Sequence, residues 1–255
     1  MLRIIKYVLL DILQNRILIG YTLFLVAVSF GLFNLSDEPT KGLVGLLNIV
    51  LIVTPMVSIV FSTIHFYNSY EFIELLAAQP IRRSLIVWSE FWGLAIAMVL
   101  AVFVGLGIPI AVFSPTATGL SLVIAAAGLS LVFVSIALLA SVLTRDKAKG
   151  IGVVLLLWFF FALLYDAIVL FLMFAFADYP LEKAMLAMVA LNPIDLARVV
   201  VLLQMDISAL MGYTGALFQE LLGTGLGIAF AVLVLLVWVV MPIWLAVRVF
   251  RRKDL

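Results

Sequence analysis

Cysteine is absent from the 255 residues, and histidine occurs once, as His65. The first absence excludes disulfides, thiolate metal sites and a cysteine nucleophile. The second excludes a bis-histidine haem and a conventional zinc site within one chain, so polar packing near a membrane surface is the more economical role for His65. No Gly-Lys dipeptide occurs, which removes the P-loop and hydrolysis of nucleotide by that route. A His-Glu-x-x-His zinc motif and a Gly-x-Ser-x-Gly elbow are likewise missing. Charge is scarce too. Asp, Glu, Lys and Arg make up 11% of the chain, where a soluble domain has about one quarter. The net charge of +1 gives no global field for nucleic acid.

What fills the space is apolar: 67% of residues, with a mean hydropathy of +1.34. This is the composition of an all-α integral membrane protein. A bilayer core needs roughly 20 apolar residues to be crossed as a helix. Six stretches qualify, about 17–35, 43–66, 86–113, 117–143, 151–177 and 224–247. Local bends are expected at Thr54-Pro55 and at Gly105, Gly107 and Pro109. Ahead of the first span, Ile4, Ile5, Val8, Leu9, Ile12 and Leu13 recur at helical spacing, with Arg3, Tyr7, Asp11 and Asn15 opposite. The pattern predicts an amphipathic helix over 1–16 lying in the membrane surface. A cleaved signal peptide is not expected, because charges interrupt the apolar residues and no small-residue cleavage site follows.

The basic residues set orientation. With the N-terminus inside, twelve (Arg3, Lys6, Arg16, Arg82, Arg83, Arg145, Lys147, Lys149, Arg248, Arg251, Arg252 and Lys253) fall on the cytoplasmic side. Three, Lys41, Lys183 and Arg198, fall outside. Both termini are therefore expected in the cytoplasm. The sizeable outer segment, 178–223, is too apolar to be a free loop. Asn192-Pro193 reads as a break that opens a new helix, so two short helices against the outer ends of the spans are expected.

Asp166 stands out as the one acidic residue deep within a span. Such a charge costs about 2.5–3.5 kcal/mol on insertion scales, so it should face protein or water. A lining or gating residue and an interhelical hydrogen bond fit it equally, with a partner from elsewhere in the fold. Too few acidic residues lie in the spans for a proton pump. Met185, Met188, Met205 and Met211 gather on the outer side; thioethers suit Cu(I), but Met at helical spacing is usually packing, and no metal site is expected. Gly223-x-x-x-Gly227 permits close helix approach and is consistent with a dimer.

One compact polar stretch lies between two apolar helices: Glu71-Phe72-Ile73-Glu74-Leu75-Leu76-Ala77-Ala78-Gln79-Pro80-Ile81-Arg82-Arg83. Read as a helix, it puts Glu71, Glu74 and Ala78 on one face and turns Phe72, Leu75, Leu76 and Gln79 another way. Pro80 stops the helix after Gln79. A docking helix on the inner surface and a solvated turn both fit this pattern.

This stretch, continuing through Ser84-Leu85-Ile86-Val87-Trp88-Ser89-Glu90-Phe91, resembles the loop between spans two and three of ABC-2-type transporter permeases. The family wording is an acidic residue, a Leu-Leu pair, a small or polar residue, Pro-Ile and a basic residue. Glu71 or Glu74, Leu75-Leu76, Gln79, Pro80-Ile81 and Arg82-Arg83 match it, while Phe72-Ile73 replaces the usual Gly-Thr. A narrower resemblance joins Leu163-Leu164-Tyr165-Asp166 and Leu191-Asn192-Pro193-Ile194-Asp195-Leu196-Ala197-Arg198 to the NosY permeases of nitrous oxide reductase maturation.

The resemblance implies a single permease domain over 1–255 of the type V exporter kind, with a coupling loop at 67–85 and outer helices within 178–223. It implies a multi-pass protein of the bacterial inner membrane, working as a homodimer with two copies of a separate ABC ATPase that carries the ATP and Mg. Glu71, Glu74, Arg82 and Arg83 would supply orienting charges to that ATPase, and Leu75 and Leu76 apolar contact. Asn192, Pro193, Asp195 and Arg198 would gate the far side or meet a periplasmic β-helical accessory protein. No cofactor is expected in this chain. A different cargo (lipid, peptide, antibiotic or a secretion function) fits the same residues. A membrane enzyme using Asp166 and His65 is the remaining alternative, weakened by their expected separation.

Overall fold

The computed structural model describes residues 2–36, 38–176, 182–205 and 225–252, and within these it is entirely helical. Helix α1 (Leu2–Leu13) precedes the first span, α2 (Arg16–Leu35). The second span is α3 (Pro39–Asn68), followed by the short α4 (Tyr70–Ala77). The third joins α5 (Arg83–Val102) to α6 (Ile108–Phe113) through a π-turn at Phe103–Gly107. The fourth is α7 (Ala117–Leu143). The fifth joins α8 (Lys147–Phe159) to α9 (Tyr165–Ala175) through a second π-turn at Phe160–Leu164. Then come α10 (Glu182–Leu191), α11 (Pro193–Leu203) and the sixth span, α12 (Gly225–Arg252). Among the described residues six helical segments are long and apolar enough to cross a membrane, as the hydropathy predicted. Gly223 and Met211, singled out from the sequence, lie outside the described residues, as do Lys253 and the side chain of Lys183.

The breaks follow local chemistry. Asn15 Oδ1 accepts from Ile17 N–H at 2.9 Å, Thr116 Oγ1 from Gly119 N–H at 3.1 Å and Asp146 Oδ1 from Lys149 N–H at 2.8 Å. These side chains cap α2, α7 and α8, satisfying donors that have no intrahelical acceptor. Pro39 opens α3, where a missing N–H costs nothing.

Helix α7 is the most buried span and forms the spine: α3 and α12 lie along it, with α5 beside them. The fifth and sixth spans expose most of their apolar surface, as lipid-facing helices do. Helix α1 is clamped on α5 rather than detached from it. Val8 and Ile12 are buried there, and Gly93 leaves the space that the Val8 side chain fills; a Cβ at position 93 would overlap it.

In hydrocarbon every backbone group must find a partner, and the fold meets this rule at Pro109, Pro242 and the second π-turn. Pro109 has no N–H for the Gly105 carbonyl four residues back, and Ser29 Oγ donates to that oxygen at 3.2 Å. Pro242 leaves the Trp238 carbonyl in the same position, and the Ser135 hydroxyl, which shares its proton between the Val132 carbonyl at 2.7 Å and this one at 3.3 Å, reaches it. In the fifth span Tyr165 N–H reaches back five residues to Phe160 rather than four to Phe161. The Phe161 carbonyl is met instead by Asn192 Nδ2 at 2.9 Å.

Candidate functional site

The last of these bonds belongs to a polar cluster at the end of the bundle opposite the termini. Helices α10 and α11 bend by 113° at Asn192, forming a broken pair. Asn192 Oδ1 caps α11 by accepting from Ile194 N–H at 3.0 Å, and Pro193 takes the first helical position. Asp195 sits in the first turn, where the helix dipole favours a carboxylate, and its Oδ2 accepts from Asn192 Nδ2 at 2.9 Å. Three residues on, Arg198 Nη1 donates to Asp195 Oδ1 at 3.1 Å and to Asp166 Oδ2 on α9 at 3.0 Å.

One guanidinium therefore holds two carboxylates from different elements. Asn192 is fully buried and Asp195 nearly so, while Asp166 and Arg198 are about a third exposed (34% and 33%). The partner that Asp166 required is Arg198. Residues expected at two separate places, one within the membrane and one outside it, form a single site. Three further bonds fasten it: Tyr165 OH to the Met188 carbonyl (2.6 Å), Trp238 Nε1 to the Ala190 carbonyl (3.2 Å) and Thr118 Oγ1 to the Gln204 carbonyl (2.8 Å). Met185 packs against Val199, in keeping with methionine as filling.

At the other end, α4 begins one residue after α3 and stands on α5. Ile73 is fully buried and Leu76 is 8% exposed, so these two anchor the helix to its own chain. The outer face carries Glu71, Phe72, Glu74 and Leu75, continued by Ala78, Gln79, Pro80 and Arg82; Arg83 is half-buried. Two expectations change here. Leu76 points inward and supports α4, leaving Leu75 (67% exposed) and Phe72 as the apolar surface; positions 73 and 76, one turn apart, share the buried stripe. The helix also ends at Ala77 rather than Gln79. Gln79 N–H turns back three residues to Leu76, and Pro80 disfavours helical backbone in the residue before it.

The base of α4 is tied to the α7–α8 corner. Tyr67 OH bonds the Thr144 hydroxyl and carbonyl, and Lys147 Nζ donates to Asn68 Oδ1 at 2.8 Å. Gly150 is where Tyr67 rests on α8; any Cβ there would collide with the phenol.

A third group was missed in the sequence. Glu90, on the third span, is 1% exposed, more deeply buried than Asp166. Asp166 is thus not the one acidic residue inside a span. Glu90 lies seven residues from the start of α5, close enough to a polar loop to pass for a surface charge. Neither of its carboxylate oxygens has a hydrogen-bond partner, and His65 Nε2 lies 3.6 Å from Oε2. The other ring nitrogen of His65 faces Asp11 Oδ2 on α1 at 3.9 Å. The signal available in the sequence was an acidic residue amid Trp88, Phe91, Trp92 and Leu94.

Six apolar spans, one of them a buried spine, with polar side chains meeting every freed carbonyl described above, define a multi-pass helical membrane protein. The chain belongs to the ABC-2 family of transporter proteins, whose sequence profile it matches over residues 23–255. It is also 26% identical over 191 residues to the probable ABC transporter permease protein NosY of Stutzerimonas stutzeri, covering 70% of this chain and 67% of that protein. It is accordingly a transporter membrane permease of the inner membrane, not itself a catalyst, from a family that implies an ABC ATPase partner.

Proposed function

We propose that the chain is the permease subunit of an ABC transporter in which α4 receives the force of ATP hydrolysis from a separate subunit. The observation that carries this reading is the division of α4: Ile73 and Leu76 fix it to the bundle, while Phe72 and Leu75 stand exposed beside Glu71 and Glu74. An apolar pair flanked on one side by acidic residues suits the cleft of a partner protein better than bulk water. Two ATPase subunits, holding ATP and Mg between them, would seat the two α4 helices of a homodimer and draw them together on closing. Both termini and α4 then lie in the cytoplasm, as the distribution of Lys and Arg argues, and α1 lies along the inner surface.

Motion of α4 would reach the far side through its ties. Tyr67 and Asn68 grip the α7–α8 corner, and the fifth span leads from there to Asp166, Arg198 and the α10–α11 pair. That pair would act as the outer gate or hand the motion to a periplasmic β-helical partner. Resemblance to NosY supports copper-site maturation of nitrous oxide reductase as the process served. The same machinery would serve another cargo, such as a lipid or peptide, equally well.

The test is co-purification of the permease with its ATPase, comparing wild type with Glu74→Lys. The exposed lysine should weaken the complex and abolish ATP-driven activity without lowering the melting temperature of the permease. An unchanged complex with unchanged activity would remove α4 from the coupling role. Loss of reductase copper sites on deletion of the gene, restored by wild type, would assign the cargo pathway.

A further inference from the structure

Between α1, the end of α3, the start of α4 and α5 lies a cavity of about 340 Å³. His65 and Glu90 form its floor, Ser69 a wall, and Tyr7, Asp11 and Phe72 its rim. Tyr7 (71% exposed) and Asp11 (74%) reach solvent, as does Phe72, so the mouth is open. Among the described residues no lysine or arginine lines it, and Lys147 donates to Asn68 in its lining. The buried Glu90 carboxylate lacks any hydrogen bond. A carboxylate left so is costly, and the cost falls when a cation enters beside it.

We infer that this cavity is a socket for a basic side chain, arginine or lysine, of the ATPase subunit. The inference rests on α4 being the ATPase docking element, because Phe72 belongs both to the exposed face of α4 and to the rim of the cavity. The donor set favours an extended organic cation over a metal ion. Asp11 and Glu90 stand on opposite sides of the His65 ring, and among the described residues no three His, Asp or Glu side chains converge to hold a metal. A cation on an aliphatic stem matches the layout: Tyr7 and Phe72 cover the stem and offer ring faces, Asp11 draws the charge in at the rim, and Glu90 receives it at the floor. The clamping of α1 on α5 by Val8 and Gly93 holds Asp11 at the rim, with His65 Nδ1 3.9 Å from its carboxylate. Docking of this kind gives register and salt-sensitive association more than bulk affinity.

The experiment measures binding of the co-purifying ATPase to the permease in lipid nanodiscs at low and high salt. Three variants are compared: Asp11→Asn, Glu90→Gln and Leu75→Ala. The first two should each lower affinity roughly tenfold at low salt and flatten the salt dependence, as expected for loss of one close charge pair. A photo-reactive phenylalanine analogue at Tyr7 should cross-link to an ATPase peptide containing arginine or lysine. Wild-type affinity in Asp11→Asn and Glu90→Gln, with Leu75→Ala weakened, overturns the socket and leaves α4 docking intact. Wild-type affinity in all three overturns both. Should Glu90→Gln fail to fold, the exposed Asp11 decides the matter alone.

Discussion

Asn192 is the residue on which the outer site can be tested most sharply. Its side chain is fully buried and makes three bonds at once: it caps α11 at Ile194 N–H, donates to Asp195 Oδ2, and meets the Phe161 carbonyl left over by the π-turn. Replacement by alanine removes all three. Loss of the cap costs about 1 kcal/mol. The orphaned Phe161 carbonyl, away from water, adds about 1–3 kcal/mol, and the lost bond to Asp195 about 1 kcal/mol. Because the terms share one side chain they will not add fully, and a total of about 3–4 kcal/mol is expected. Asn192→Ser provides the control, since serine still caps a helix but is too short to reach Phe161; it should recover about 1 kcal/mol. Reversible unfolding in mixed micelles, followed by circular dichroism, measures both. If Asn192→Ala costs less than about 1 kcal/mol, the three-way role is wrong. Equal losses in the two variants would deny the cap.

Further predictions follow from other contacts. Arg198→Met leaves Asp166 and Asp195 facing one another without their shared cation, and should destabilise by about 2–3 kcal/mol, discounted because the pair is a third exposed; adding Asp166→Asn should return part of that loss in a double-mutant cycle. Ser135→Ala removes the donor to the Trp238 carbonyl and should cost about 0.6 kcal/mol, whereas in a Pro242→Ala background, where the helix regains its own N–H, the same change should be nearly neutral. Gly150→Ala should drive Tyr67 from α8 and cost about 1–3 kcal/mol in the same unfolding assay, with Tyr67→Leu restoring part of it; no effect would mean the contact is loose.

The fold was legible because lipid leaves a chain few choices. Runs of about 20 apolar residues in hydrocarbon must become helices, so the six spans could be counted without any tertiary information. Asn192-Pro193 announced its own break, since asparagine caps and proline opens a helix wherever they meet an apolar run. Glu90 escaped notice because hydropathy weighs a residue by its neighbours in sequence, and its real neighbours, His65 and Asp11, come from other helices. Leu75 and Leu76 show the same limit at closer range. The two are identical side chains in one turn, and only the position of α5 makes one an anchor and the other a contact surface.

What the sequence determined by itself was therefore the set of spans and the break at Asn192-Pro193, because those depend on spacing along one chain. Tertiary structure decided which polar residues meet. Asp166, Asp195, Arg198 and the Phe161 carbonyl become one site only when α11 folds back on the fifth span. The reason is energetic as well as geometric: in an apolar surrounding each freed carbonyl or charge must be answered from another helix, and local spacing does not say which.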